Sequence, residues 1–197
     1  MNTTPDNDGG KPMAKTLEEL QAILTAQGYE CRKISDICLR TKIATKAYTN
    51  AEGHKSIAVL LAFDHANGCL TIDTPWAFDS KQAAHKEAML ACLLSASAKS
   101  PLVKTQLDPA DGEVRLRVDC CCGSEGIPSD NVLKMLSLIP EFADRWYPHI
   151  RNAMDKGTFD PAGRKLSDAE ERLAAIAQRA GGINRLKTLL WLRDRNN

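Results

Sequence analysis

The stretch LVKTQLDPADGEVRLRVD, Leu102 to Asp119, places two short apolar segments on either side of the turn Asp108-Pro109-Ala110-Asp111-Gly112. It reads as a β-hairpin. After Gly112 the residues alternate, with Val114, Leu116, Val118 and Cys120 on one face and Arg115, Arg117, Asp119 and Cys121 on the other, which is the period of a half-buried strand. Downstream, Pro128 and the capping residues Ser129 and Asp130 open a long amphipathic helix. Its stripe is Val132, Leu136, Ile139, Ala143, Trp146, Ile150 and Ala153, in steps of three and four. Pro140 and Pro148 each remove a backbone donor from that pattern, which predicts a kink or a break.

Upstream, Thr16 and Glu19 have the spacing of a capping box, and Leu17, Leu20 and Leu24 share one side of the helix they open, with Gly28 ending it. From Tyr29 to Trp76 the period becomes two. Tyr29 to Ile34 and Ile37 to Ile43 form strands about the turn Ser35-Asp36, the second setting Ile37, Leu39, Thr41 and Ile43 against Cys38, Arg40 and Lys42. A polar loop, Lys46 to Lys55, follows. Ile57 to Phe63 is apolar on both faces, the mark of a central strand, and Asn67-Gly68 supplies a tight turn into Cys69 to Thr74. Ser80 caps a helix reaching about Lys99, whose alanines suit close packing on a sheet.

These elements predict an α+β fold: a helix, a mainly antiparallel sheet of about five to six strands, helices packed on the sheet, and a C-terminal helical hairpin. Four segments follow from the composition. Residues 1–15 read as a disordered tail, 16–157 as the α+β domain, 158–166 as a linker with Pro161 and Gly163, and 167–197 as a helical hairpin split by Gly181-Gly182.

The 197 residues carry 26 basic and 25 acidic side chains, so no whole-protein field draws in nucleic acid or anionic lipid. Any charged partner is read by a local patch. The absence of a long apolar run or a secretion signal predicts a cytoplasmic protein without a membrane contact. Seven cysteines, odd in number and irregularly spaced, read as reduced thiols.

The run from Leu102 through Gly112-Glu113-Val114-Arg115-Leu116-Arg117 to Pro140-Glu141-Phe142-Ala143-Asp144-Arg145-Trp146-Tyr147-Pro148 resembles the YbjN family, bacterial proteins assigned to sensory transduction regulation, whose fold is similar to that of type III secretion chaperones. The resemblance spans roughly Thr16 to Lys156. It implies a non-enzymatic protein-binding, chaperone-like or regulatory module that forms a homodimer, and brings no catalytic residues with it. The near-neutral charge and the extra C-terminal helices depart from secretion chaperones.

Chemistry-bearing motifs are sparse. Cys120-Cys121-Cys122 is the most reactive-looking, yet alternation turns Cys120 and Cys122 inward and Cys121 outward, and no histidine stands at zinc-ligand spacing, so no metal or cofactor is expected. His54, His65, His85 and His149 stand apart from one another, and no nucleophile elbow is present. Asp8-Gly9-Gly10-Lys11 lacks the strand that a phosphate loop requires. No catalytic residues are assigned.

Two interaction readings remain. Trp76, Phe78, Trp146 and Tyr147, with Leu190 and Trp191 of the C-terminal segment, are candidate anchors for a protein or peptide partner. Trp146 lies in a helical stripe, which favours the core. The alternative is a nucleic-acid accessory protein using the basic face of Arg179, Arg185, Lys187, Arg193 and Arg195.

Overall fold

Strand pairing follows the period-two segments closely. The computed structural model describes residues 12–64, 68–123 and 125–160, and the structural statements below concern these. In chain order the elements are β1 (Met13–Ala14), α1 (Leu17–Ala26), β2 (Cys31–Ser35), β3 (Cys38–Ala44), β4 (Ser56–Asp64), β5 (Cys69–Asp79), α2 (Lys86–Ala98), β6 (Lys104–Leu107), β7 (Glu113–Cys121), β8 (Ile127–Pro128) and α3 (Ser129–Lys156). Six strands form one antiparallel sheet in the order β2-β3-β4-β5-β7-β6, and β1 pairs with β8 in a separate ribbon.

The decisive hairpin is β6 and β7, in register from Lys104 opposite Arg117 to Leu107 opposite Val114. Its turn closes through the Gly112 amide donating to the Asp108 carbonyl and the Asp108 amide donating to the Glu113 carbonyl, both at 2.9 Å. Gly112 sits at φ +84°, and a Cβ there would stand 2.8 Å from Cγ of Lys81, so geometry and space both demand glycine.

All three helices lie on one face of the sheet, α3 running between α1 and α2. The inward residues of the strands, among them Leu39, Ile57, Val59, Leu61, Leu70, Ile72, Leu116 and Val118, meet Leu20 and Leu24 of α1, Met89 and Leu93 of α2, and Leu136, Ile139, Trp146 and Ile150 of α3 in a single core. Burial of a leucine or isoleucine side chain of this kind is worth about 1.5–3 kcal/mol, an upper figure because the unfolded chain is itself partly compact. The other face of the sheet carries no covering element among the described residues. Its residues in β4, Ala58, Leu60 and Ala62, are half-buried, so the two apolar faces of that strand are unequal.

Local signals held where a side chain could act on its own turn of chain. Thr16 accepts from the Glu19 amide, and Glu19 reaches back to the Thr16 amide, which completes the capping box. Other expectations need correction. Ser80 caps no long helix: Asp79 caps a short 3-10 turn, Ser80–Gln82, and α2 starts at Lys86. Of the kink or break expected at Pro140 and Pro148, the break does not occur: the 28-residue α3 runs through both, because its apolar stripe is buried along the whole length while each proline costs one backbone bond. Met13 and Ala14, placed by composition in the tail, form β1, with Ala14 fully buried, and the Ser129 amide donates to the Pro12 carbonyl. At the other end Thr158 and Asp160, placed in the linker, are buried, and the Asn152 side chain donates to Thr158. The segment 167–197 lies outside the described residues.

No helix among the described residues is long and apolar enough to cross a membrane.

Candidate partner-binding site

Strand β5 does not stop at Pro75. Its pairing with β7 slips between Thr74 and Phe78, so Pro75, Trp76 and Ala77 form a bulge in an otherwise regular ladder. Proline tolerates this position because a bulge does not call on its missing donor. At the crest Trp76 adopts φ +52°, the only left-handed backbone among the described non-glycine residues, and its side chain is 50% exposed. A bulky residue in that region costs on the order of 1–3 kcal/mol and persists only where its surroundings enforce it.

The enforcement comes from both sides of the sheet. On the open side the Glu113 carboxylate, 1% exposed, accepts from the Trp76 amide at 2.8 Å and from Arg115 Nε at 2.7 Å, with a second bond from the Arg115 Nη2. Arg115 also lies 3.5 Å from Asp73. Removal from water pushes the Asp73 carboxyl above its usual range, outweighing the pull of the Arg115 guanidinium, and one of its oxygens is buried with no hydrogen-bond partner.

On the core side Tyr48, 2% exposed, donates its hydroxyl to the Ala77 carbonyl at 2.9 Å. Its ring stands edge-on to Phe78 (5.7 Å) and Tyr147 (5.4 Å), and burial pushes its phenol up to about 12. Tyr48 reaches this place from a polar loop because Asp144 of α3 collects the loop's amides: Oδ1 accepts from Lys46 at 2.9 Å, Ala47 at 2.7 Å and Tyr48 at 2.9 Å. Desolvation raises the Asp144 carboxyl, but the amides of Tyr48, Lys46 and Ala47 together outweigh it and leave the group below its ordinary value. A depressed carboxylate stabilises the fold above its unfolded value and ceases to do so as pH falls through the folded one. Asp144→Asn is therefore expected to cost about 1–2 kcal/mol at neutral pH. The cost should shrink in acid below about pH 4, and chemical unfolding of both proteins across pH 2 to 7 checks it. A deficit unchanged across that range would remove the carboxylate from this role.

Two strands away from the arch the open face is cationic. Directly opposed residues share a face, which places Arg32, Arg40, Leu60, Asp73 and Arg117 in one row across the sheet, with Lys42 and Ala58 in a neighbouring one. Asp73 and Asp119 already face Arg115 and Arg117, so Arg32, Arg40 and Lys42 carry the surplus charge. Leu60 lies among them, half-buried.

The sequence-derived candidates fall into distinct places. Trp76 is exposed at the arch. Phe78 and Trp146, 7% and 2% exposed, belong to the core, so for these two burial replaces the expectation of partner contact. Tyr147 is half-buried and stacks on Phe78 at 6.3 Å beneath the arch. Leu190 and Trp191, and the basic set Arg179, Arg185, Lys187, Arg193 and Arg195, lie outside the described residues. Sequence reasoning missed Tyr48, Asp144, Glu113 and Asp73. The one available signal was a tyrosine inside a polar loop. Among the described residues no group of three His, Cys, Asp or Glu side chains is placed to hold a metal.

This arrangement defines an α+β domain with helices on one face of an antiparallel sheet and a strained, aromatic-tipped bulge at the edge of the other. Among solved structures it is similar to YbjN from E. coli, described as a proposed transcription regulator, at TM-score 0.48 and 13% identity, covering 72% of this chain and 93% of that one. No family model matches the sequence, and no curated protein does.

Proposed function

We propose that the protein is a non-enzymatic binding module that takes an acidic protein segment on the open face of its sheet, with Trp76 as the aromatic anchor. The observation that carries this reading is the Trp76 arch itself: backbone strain maintained by a buried carboxylate that keeps a tryptophan half exposed, on a sheet whose open face carries Arg40 and Lys42 two strands away. An exposed aromatic and a cationic row on one domain suit a partner with carboxylates and an apolar side chain. The half-buried Leu60, Ala58 and Ala62 offer such a segment an apolar floor.

The cationic face also attracts phosphates, which is what the basic C-terminal residues first suggested, but one exposed indole provides a single stacking surface where single-stranded nucleic acid uses several. The test uses the full chain with a fluorescent peptide of alternating glutamate and leucine, and with a single-stranded oligonucleotide. Trp76→Ala and the pair Arg40→Glu/Lys42→Glu should each weaken the peptide at least tenfold, about 1.4 kcal/mol, while the unfolding midpoint stays put. Peptide affinity unchanged in both variants would overturn the site. Tighter oligonucleotide binding, lost on changing Arg179, Arg185, Lys187, Arg193 and Arg195 to glutamine, would replace this reading with the nucleic-acid one.

A further inference from the structure

At the far end of the same two strands, away from the arch, β5 and β7 place Cys69 directly opposite Cys121. The next pair outward is joined by the Cys122 amide donating to the Gly68 carbonyl at 2.6 Å. Narrow and wide pairs alternate along an antiparallel ladder, so Cys69 and Cys121 occupy a non-hydrogen-bonded position, where opposed Cα atoms stand about 4.5 Å apart and side chains are closest. That separation is within the range a disulfide spans. Neither cysteine is in a disulfide, Cys121 is exposed and Cys69 half-buried, and they are hydrogen-bonded to each other. Beside Cys69 lies a cleft of about 270 Å³ whose lining also includes Lys15, Asp64 and Cys122.

We infer that Cys69 and Cys121 form a two-thiol oxidation site that a hydroperoxide converts into a cross-strand disulfide. Cys121, the exposed member, attacks first: its thiolate sulfur bonds to one peroxide oxygen, the O–O bond breaks, and hydroxide leaves and takes up a proton to become water. Cys69 then attacks the sulfur of the resulting sulfenic acid. The S–O bond breaks, the departing hydroxide takes the proton given up by Cys69, and a second water is released. In total, two thiols lose two electrons and two protons, and one peroxide becomes two waters.

Desolvation, followed by the hydrogen bond shared with Cys121, pushes the Cys69 thiol up, which disfavours Cys69 as the first thiol to attack the peroxide. The neighbours compete poorly. Cys120 points to the opposite face of β7, its sulfur donating to the Cys121 carbonyl at 3.5 Å, and Cys122 turns its sulfur back to the Cys120 carbonyl at 3.7 Å. This site does not rest on the reading of the Trp76 arch.

The test treats the reduced full chain with one equivalent of hydrogen peroxide, caps the remaining thiols and maps disulfides by mass spectrometry. The expected product is one intramolecular bond between Cys69 and Cys121, two hydrogens lighter. The same bond should form in the Cys120→Ser/Cys122→Ser variant and disappear when the chain is oxidised in denaturant. Cys69→Ser should halt at Cys121 sulfenic acid, with dimedone capture at least tenfold above wild type, whereas Cys121→Ser should lose the reaction. A bond from Cys121 to Cys120, to Cys122 or to a second chain as the main product would overturn the site. Equal dimedone capture by wild type and Cys69→Ser would overturn it too.

Discussion

Tyr48→Ala is expected to lower the unfolding free energy by about 3–5 kcal/mol, the range for removing a fully packed aromatic side chain. The residue sits in a loop, where substitutions are ordinarily mild, but its ring fills the space between Phe78 and Tyr147 and its hydroxyl supports the Ala77 carbonyl. Deleting it leaves a cavity beneath β5 and releases the floor of the arch. Tyr48→Phe keeps the ring and loses one hydrogen bond, so its cost should be only about 1 kcal/mol. Denaturant titration of the two variants separates packing from bonding. A Tyr48→Ala midpoint within about 1 kcal/mol of the parent, the size of an ordinary substitution, would mean that the loop moves in to refill the space.

Glu113→Ala should cost about 2–4 kcal/mol, because a buried acceptor that serves both a backbone amide and a guanidinium leaves both unpaired when it goes. The lower half of that range applies if Arg115, itself 42% exposed along its side chain, turns outward to water. The Trp76 amide cannot turn. It is part of a strained bulge, and without its acceptor the backbone is free to leave the left-handed region. Two readouts follow: faster hydrogen exchange at the Trp76 amide, and loss of acidic-peptide binding comparable to that of Trp76→Ala. Glu113→Gln retains an acceptor for the amide but gives up the charge opposite Arg115, and should fall between. Normal peptide affinity in a folded Glu113→Ala protein would separate the buried carboxylate from the binding surface.

Most of the sheet was legible before any coordinates because its signals are local. Alternation along Val114, Leu116 and Val118 follows from the pleat, which no neighbour can reverse without moving every side chain to the wrong face. The capping box at Thr16 closes within one turn of helix. The errors arose where tertiary burial outweighed a local preference. Met13 and Ala14 look like tail, yet β8 offers them a ladder. Pro75 marks a strand end in isolation, whereas the register slip lets β5 continue past it. Pro140 and Pro148 should interrupt a free helix, but α3 is held by its buried stripe.

The candidate site was legible in its aromatic residues Trp76, Phe78 and Tyr147 but not in its polar ones. Trp76 could be singled out as an aromatic after a proline. Its partners could not: Glu113 is 37 positions away, and Asp144 meets the Lys46 to Tyr48 loop across almost 100 positions, with separations of 98 to 96. Hydrophobic period carries no information about which distant amide a carboxylate will find.

What the amino-acid order determined by itself was the set of elements, the inward face of each strand and the one-sided amphipathic helices, since these depend on side-chain spacing of two or of three to four residues. The tertiary structure alone decided how the three hairpins β2-β3, β4-β5 and β6-β7 joined into one sheet, and with that everything chemical about the open face. Only the order β2-β3-β4-β5-β7-β6 brings Arg40, Leu60, Asp73 and Arg117 into one row, sets Cys69 against Cys121, and closes Glu113 under Trp76. The physical reason is range: the periods that shape a strand act over a few residues, whereas the contacts that make a site are selected by the packing of the whole core.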